Sequence, residues 1–191
     1  MNVLEQRILD EGIARPGDVL EVDSFLNQQV DPQLSIAMGN AFAERFRDTK
    51  IDRILTVESS GIAIGLTTAL ALNQPLVFAR KKKSILMVEE VYSAPVFSYT
   101  KQETNQIFVL KKFLPAGEQV LLIDDFLANG SAAFGLISLV EAAGSQVAGI
   151  GIAIEKSFMP GREKLNARGY HVESLARIHS LEGNSISFVQ E

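Results

Sequence analysis

The sequence predicts an α/β protein: a parallel sheet with helices on both faces. Three observations carry that prediction. Short apolar runs alternate along the chain with helix-periodic stretches. Strands alternating with helices in this way imply right-handed crossovers and a sheet covered on both sides. The chain has 191 residues and is 47% hydrophobic, enough for one compact domain, residues 1–191, with a sizeable core.

The elements follow in order. Val3 to Glu11 reads as a short helix ended by Gly12, with Val3, Leu4, Ile8 and Leu9 on one face. Val19 to Val22 is a short strand. Asp31-Pro32 starts the next helix as cap and first-turn proline, and Leu34, Ile36, Met38, Phe42 and Phe46 supply its core face. Ile51 to Val57 is a strand that ends in Glu58-Ser59-Ser60-Gly61, and Ile62 to Leu72 is a helix. Pro75 to Ala79 is again a strand. Arg80 to Gln106 is rich in charge, Thr, Ser and Tyr, and long enough to be a lid or a β-hairpin. Strand Val120–Ile123, helix Ala132–Ala143, strand Gln146–Ile154, a short helix near Gly161–Arg168 and a strand around Tyr170–Leu175 complete the pattern.

Composition removes several function classes. Net charge is −5, with basic and acidic residues interspersed, which argues against a nucleic-acid-binding surface. With no cysteine, the chain has no disulfide, thiolate nucleophile or Cys-based metal site. The N-terminal stretch lacks a signal-peptide core and no apolar run is long enough to span a membrane, so a cytoplasmic location is expected. His171 and His179 have neither metal-ligand spacing nor a nearby nucleophile signature.

The most informative segment is Val120 to Ala133. Four apolar residues read as a buried strand ending in Asp124-Asp125, followed by a turn of small residues and the helix. Backbone N–H groups at such a turn can hold a phosphate, and the two acids stand within reach of sugar hydroxyls. One Asp there is an ordinary helix cap, but two adjacent acids repel each other without a cation or hydroxyl partner. An activated sugar phosphate is the ligand this pattern suggests.

In parallel sheets ligands sit at the carboxyl ends of the strands, and the remaining candidates cluster there. Glu58-Ser59-Ser60-Gly61 can expose N–H donors to an anion, or be a common βα turn. Arg80 to Lys83 is a solvated charge run or a counter-charge for pyrophosphate. Phe158 can stack on a planar base and Lys156 can donate to a ring oxygen. The competing reading makes Glu155–Lys156 a surface pair and Phe158 a core residue.

The residues Val120 to Asp125 with Ala128-Asn129-Gly130-Ser131-Ala132 resemble the phosphoribosyl pyrophosphate signature of type I phosphoribosyltransferases. Val22 to Asn27, Val57 to Gly61, Phe78 to Lys81, Ile154 to Phe158 and Val172 to Ile178 resemble the bacterial xanthine phosphoribosyltransferase branch. The resemblance implies the type I fold, with a small hood formed largely by the first ~35 residues. It implies phosphoribosyl transfer from phosphoribosyl pyrophosphate to xanthine. It implies that Ala128, Asn129, Gly130, Ser131 and Ala132 surround the 5′-phosphate and that Asp124 and Asp125 face the ribose hydroxyls. Ser59, Ser60, Arg80 and Lys81 would lie near pyrophosphate, and Leu20, Asn27 and Lys156 would contact xanthine. Mg²⁺ is expected mainly on the pyrophosphate rather than on protein side chains, and a homodimer is implied. The loop departs from the superfamily's Thr-Gly-Gly-Thr, since Asn129-Gly130-Ser131-Ala132 lacks the final hydroxyl. The alternatives are a hypoxanthine-guanine or adenine phosphoribosyltransferase, and a nucleic-acid-binding purine regulator that keeps the fold.

Overall fold

The computed structural model describes residues 1–83, 90–98, 103–182 and 185–190. Its centre is a six-stranded sheet made of β3 (Arg53–Val57), β4 (Leu76–Ala79), β7 (Gln119–Leu127), β8 (Gln146–Lys156), β9 (Val172–Ser180) and β10 (Ser187–Phe188). The order is β10-β9-β8-β7-β3-β4, parallel throughout except for the antiparallel edge strand β10. The chain runs from β3 outward to β4, then returns to the other side of β3 as β7. The order therefore reverses between β3 and β7, and a crevice opens beyond their carboxyl ends.

Helices cover both faces, as the alternation predicts. On one face α1 (Val3–Glu11), α2 (Pro32–Arg45) and α3 (Gly61–Leu72) bury Leu4, Ile8, Leu34, Met38, Phe42 and Ile64 against Leu121 and Ile123. Asp31 caps α2, accepting from the N–H groups of Gln33 and Leu34 at 2.9 and 3.0 Å, with Pro32 in the first turn. Three apolar residues predicted for core faces instead face outward: Val3, Leu9 and Ile36 are exposed. On the other face α4 (Ser131–Ala142) and α5 (Gly161–Ala167) bury Leu136, Ile137, Val140 and Leu165 against Val120, Leu122 and Ile152.

Two antiparallel hairpins add to this frame. The short strands β1 (Ile13–Arg15) and β2 (Val19–Glu21) pair at the N-terminal end, followed by one π-helical turn, Asp23–Asn27. Only the second of these strands is legible in the sequence. The segment Arg80 to Gln106 contributes most of a hairpin of β5 (Val91–Ser98) and β6 (Glu103–Leu110), whose second strand runs on past Gln106. Residues 84–89 and 99–102 of that segment, including Thr100 and Lys101, lie outside the described residues. The hairpin seats on α4 at Gly135, where an added Cβ would overlap Cγ2 of Val96 and come within 3.2 Å of Cδ1 of Ile107.

Strand β7 runs four residues past its predicted end. The acid pair therefore lies inside the strand rather than after it. The cause is asymmetric pairing: β3 stays in register with β7 only to Leu55–Leu122, while β8 stays with it to Leu127–Glu155. One edge of β7 is free around Asp124 and Asp125, and the other is not.

Candidate functional site

The crevice between β3 and β7 is a cavity of about 430 Å³. Asp124, Asp125, Ala128, Asn129, Gly130, Ser131 and Ala132 form one wall, and Ser59, Ser60 and Lys81 line it from the other side. Val96, Phe97, Asn105 and Ile107 of the hairpin also line it; the sequence held no core signal by which to place these four there.

The two acids differ in environment. Asp124 is buried, whereas Asp125 is half-buried. Burial first, then the neighbouring Asp125 charge, pushes the Asp124 carboxyl well above the usual carboxylate range, with Lys81 partly opposing. Asp125 N–H donates to Asp124 Oδ1 and Phe126 N–H to Asp125 Oδ1, each at 3.0 Å. Without a ligand, burial and the Asp125 charge disfavour the charged form of Asp124. Hydroxyl donors or a cation brought by a ligand would restore its charge.

The loop that follows is shaped for an anion. Gly130 has φ +86°, a conformation that favours glycine, and it is the N-cap of α4. No side chain caps that helix end, so its first-turn N–H groups face the cavity as donors. Ser131 and Asn129 supply the only side-chain polar groups of the loop. The loop is braced from behind, because Gly161 N–H donates to Ala128 O at 2.9 Å. A Cβ on Gly161 would collide with that oxygen.

Opposite, Glu58 organises the cations. Lys81 N–H donates to Glu58 Oε1 at 2.6 Å, and Arg80 Nε lies 3.5 Å from Glu58 Oε2. Arg80 is also bridged through its backbone to Phe108 of the hairpin, with both hydrogen bonds at 2.9 Å. Lys81 thus enters the cavity, whereas the Arg80 side chain is turned toward Glu58. The Glu58–Ser59 peptide is cis.

Leu20, Asn27 and Lys156 lie at the N-terminal hairpin's side of the sheet. Lys156 Nζ donates to Asp18 O at 2.6 Å and lies 5.6 Å from the centre of the Phe126 ring. Burial lowers the Lys156 pKa, and the Asp18 charge partly offsets it. Leu20 is buried in the core. Asn27 Oδ1 is buried with no hydrogen-bond partner among the described residues, an orphan acceptor that a ligand donor would satisfy.

Phe158 is not brought to this group. It is exposed and lines a separate groove with Met159, Arg162 and Arg177. Glu155 is the residue that sequence reasoning missed. It is buried and bonded to Arg162, Ser174 and Ser157, not paired with Lys156 at the surface. The signal was its place at the end of a wholly apolar strand, where a carboxylate needs a buried partner.

This crevice, with its acid pair, uncapped helix start and opposing cation, is one suited to a phosphorylated sugar. The chain belongs to the phosphoribosyl transferase domain family, whose model matches residues 27–176. It is 58% identical to the xanthine phosphoribosyltransferase of an Exiguobacterium species, over 100% of this chain and 98% of that one. It is 56% identical to the xanthine phosphoribosyltransferase of Listeria monocytogenes serotype 4b, over the whole of both chains. Among solved structures it superposes on the adenine phosphoribosyltransferase of Rhodothermus marinus with a TM-score of 0.73 at 26% identity, covering 91% of this chain and 97% of that one. The α/β fold with helices on both faces of a parallel sheet, predicted from the βα alternation, is observed, and it is the fold of this family. No described helix is long and apolar enough to cross a membrane.

Proposed function

We propose that the chain is a purine-salvage transferase, one domain with an N-terminal hood, that moves a 5-phosphoribosyl group from phosphoribosyl pyrophosphate to xanthine. The observation that carries this reading is the meeting, in one cavity, of the Asp124–Asp125 pair, the uncapped α4 start and the Ser59-Ser60-Lys81 wall. Its extension to xanthine is supported by the full-length relatives of that name.

The residues divide the reaction among them. Loop N–H groups of Asn129 to Ala132 hold the 5′-phosphate. Asp124 and Asp125 accept from the ribose 2′- and 3′-hydroxyls and so orient C1′. The C1′–O bond to pyrophosphate breaks with its electron pair leaving on oxygen, and xanthine N9 forms the new C1′–N bond while the imidazole proton passes to water. The sugar acquires oxocarbenium character, and two carboxylates beside it stabilise that charge. Lys81, Ser59 and Ser60 receive the departing pyrophosphate, with Arg80 available once it leaves Glu58.

Among the described residues no three acids or histidines cluster to hold a metal, but the paired carboxylates and a pyrophosphate suit a hard cation such as Mg²⁺. Bound there, Mg²⁺ would neutralise charge on the leaving group. Lys156 donates to the purine C6 oxygen, which adenine lacks, and the Asn27 amide N–H to the C2 oxygen, which hypoxanthine lacks, while Asn27 Oδ1 accepts from a ring N–H of the base. Two copies are the proposed assembly. Helix α3 has no charged residue and exposes Leu66 and Leu70, and edge strand β4 exposes Phe78, an apolar surface suited to a second chain.

The test is product formation from xanthine, guanine, hypoxanthine and adenine in parallel, with wild type and Asn27→Ala. Xanthine is expected to lead. Asn27→Ala should lower kcat/KM for xanthine about tenfold or more with a smaller loss for guanine. Adenine turnover equal to that with xanthine overturns the base assignment, and equal losses for xanthine and guanine overturn the role of Asn27.

A further inference from the structure

The turn joining β1 to β2 sets a backbone oxygen against Lys156, whose ammonium lies 5.6 Å from the ring of Phe126, a residue that lines the crevice. Arg15 and Val19 close the hairpin, leaving Pro16-Gly17-Asp18 as its loop. Gly17 and Asp18 both take left-handed conformations, at φ +82° and +60°. That region suits Gly, Asp and Asn and is a severe outlier for β-branched residues. In this arrangement the Asp18 carbonyl oxygen is 2.6 Å from Lys156 Nζ.

A lysine ammonium has three donors on a flexible stem. Unrestrained, it would offer a proton to many acceptors and discriminate poorly between purines. Here one donor goes to Asp18 O, and the Phe126 ring holds another side of the ammonium by cation–π attraction at 5.6 Å. The remaining donor is left with a narrowed direction. The two-residue left-handed turn thus sets the aim of a side chain that lies 138 positions away in the sequence.

We propose that Asp18 is a positioning residue for base selection: its main-chain oxygen, aimed by the left-handed turn, orients the Lys156 ammonium toward an oxygen acceptor on the purine. The proposal rests on the reading that Lys156 contacts the base.

The experiment varies xanthine and phosphoribosyl pyrophosphate separately for Asp18→Val, Asp18→Asn and Lys156→Ala. Valine resists the left-handed region and turns the carbonyl away. Asparagine keeps the conformation and removes only the carboxylate. Asp18→Val should raise KM for xanthine about tenfold or more while KM for phosphoribosyl pyrophosphate stays within about twofold. Asp18→Asn should restore KM for xanthine to within about threefold of wild type. An unchanged KM for xanthine in Asp18→Val overturns the proposal. So does an equal defect in Asp18→Asn, which would assign the effect to the carboxylate charge. If Asp18→Val fails to fold, Asp18→Ala, strained in the same direction but less, decides by the same criterion. Lys156→Ala separates the two levels. A normal KM for xanthine there removes the base assignment itself, whereas a raised one beside a normal Asp18→Val removes only the role of Asp18.

Discussion

Removing the Glu155 carboxylate should destabilise the protein severely and loosen the phosphate loop at a distance. Glu155 is 1% exposed, and Arg162 reaches its Oε2 through Nε at 2.8 Å and Nη2 at 2.6 Å. Ser174 Oγ donates to Oε2 at 2.5 Å, Ser157 Oγ to Oε1 at 2.8 Å, and Arg177 Nε lies 3.5 Å from Oε1. Glu155→Ala strands two guanidiniums around a void, and breaking a buried pair this way costs ~3–5 kcal/mol. In a chain of this size each 1 kcal/mol moves Tm by about 2–4 °C, so a fall of roughly 6–20 °C is expected by circular dichroism. The pH dependence has a defined sign. Burial alone would raise the Glu155 pKa, but bonds from Arg162, Ser174 and Ser157 outweigh it and hold it below the ordinary 4.5. Its stabilisation is therefore fully present above pH 4.5 and lost as pH falls through the lower folded value. Because Arg162 follows Gly161, whose N–H holds Ala128 O, KM for phosphoribosyl pyrophosphate should rise as well. A paired Glu155→Met/Arg162→Met replacement should recover part of the stability, since the Arg162 charge is removed with its partner and only Arg177 still lacks the carboxylate. A loss under ~1 kcal/mol in Glu155→Ala, or a double variant worse than either single, refutes the reasoning.

Asp124→Asn should abolish turnover yet stabilise the unliganded protein near neutral pH. A carboxyl whose folded pKa is raised by burial and by Asp125 loses stability as pH climbs above its ordinary 3.8, and an amide does not. Parallel pH–Tm curves for wild type and variant would overturn that account. Gly135→Ala should unseat the β5–β6 hairpin, because the new methyl overlaps Val96. The expected result is a stability loss of ~1–3 kcal/mol and a lower kcat/KM for phosphoribosyl pyrophosphate, since Val96 and Ile107 line the cavity. Wild-type kinetics in a well-folded Gly135→Ala protein would show that the hairpin does not contribute to the site.

Most of the parallel frame is legible because β3, β4, β7 and β8 contain apolar runs closed by small or charged residues, as at Val57-Glu58-Ser59 and Ile123-Asp124, whereas β9 mixes polar with apolar residues and runs on from Leu175 to Ser180. The hairpin of β5 and β6 is not distinguishable from a lid in the sequence, because its outer residues Glu103 to Gln106 are exposed and hold no core-facing alternation. The apolar face of α1 was read too wide. Val3 and Leu9 have the right spacing, but none of the described elements covers them. Glu155 was misread because its partner lies across a turn at Arg162, and proximity in sequence favoured Lys156 instead.

The acid pair fell between these cases, and the reason is local. Up to Ile123 the strand alternates strictly: Val120 and Leu122 join the core on the α4 face, Leu121 and Ile123 the core on the α2 face. Continued, that alternation would send Phe126 to the α4 side and Leu127 to the α2 side. The opposite is found. The phase slips by one residue across Asp124-Asp125, where the N–H groups of Asp125 and Phe126 bond to the carboxylates just before them. Side-chain capture of backbone donors competes with a regular ladder. Strand β8 changes sides at the matching positions, Ile152 packing on the α4 face and Ile154 on the α2 face, while its register with β7 holds. The two strands turn together where the acid pair faces the crevice, and a period-two reading of either one alone fails there.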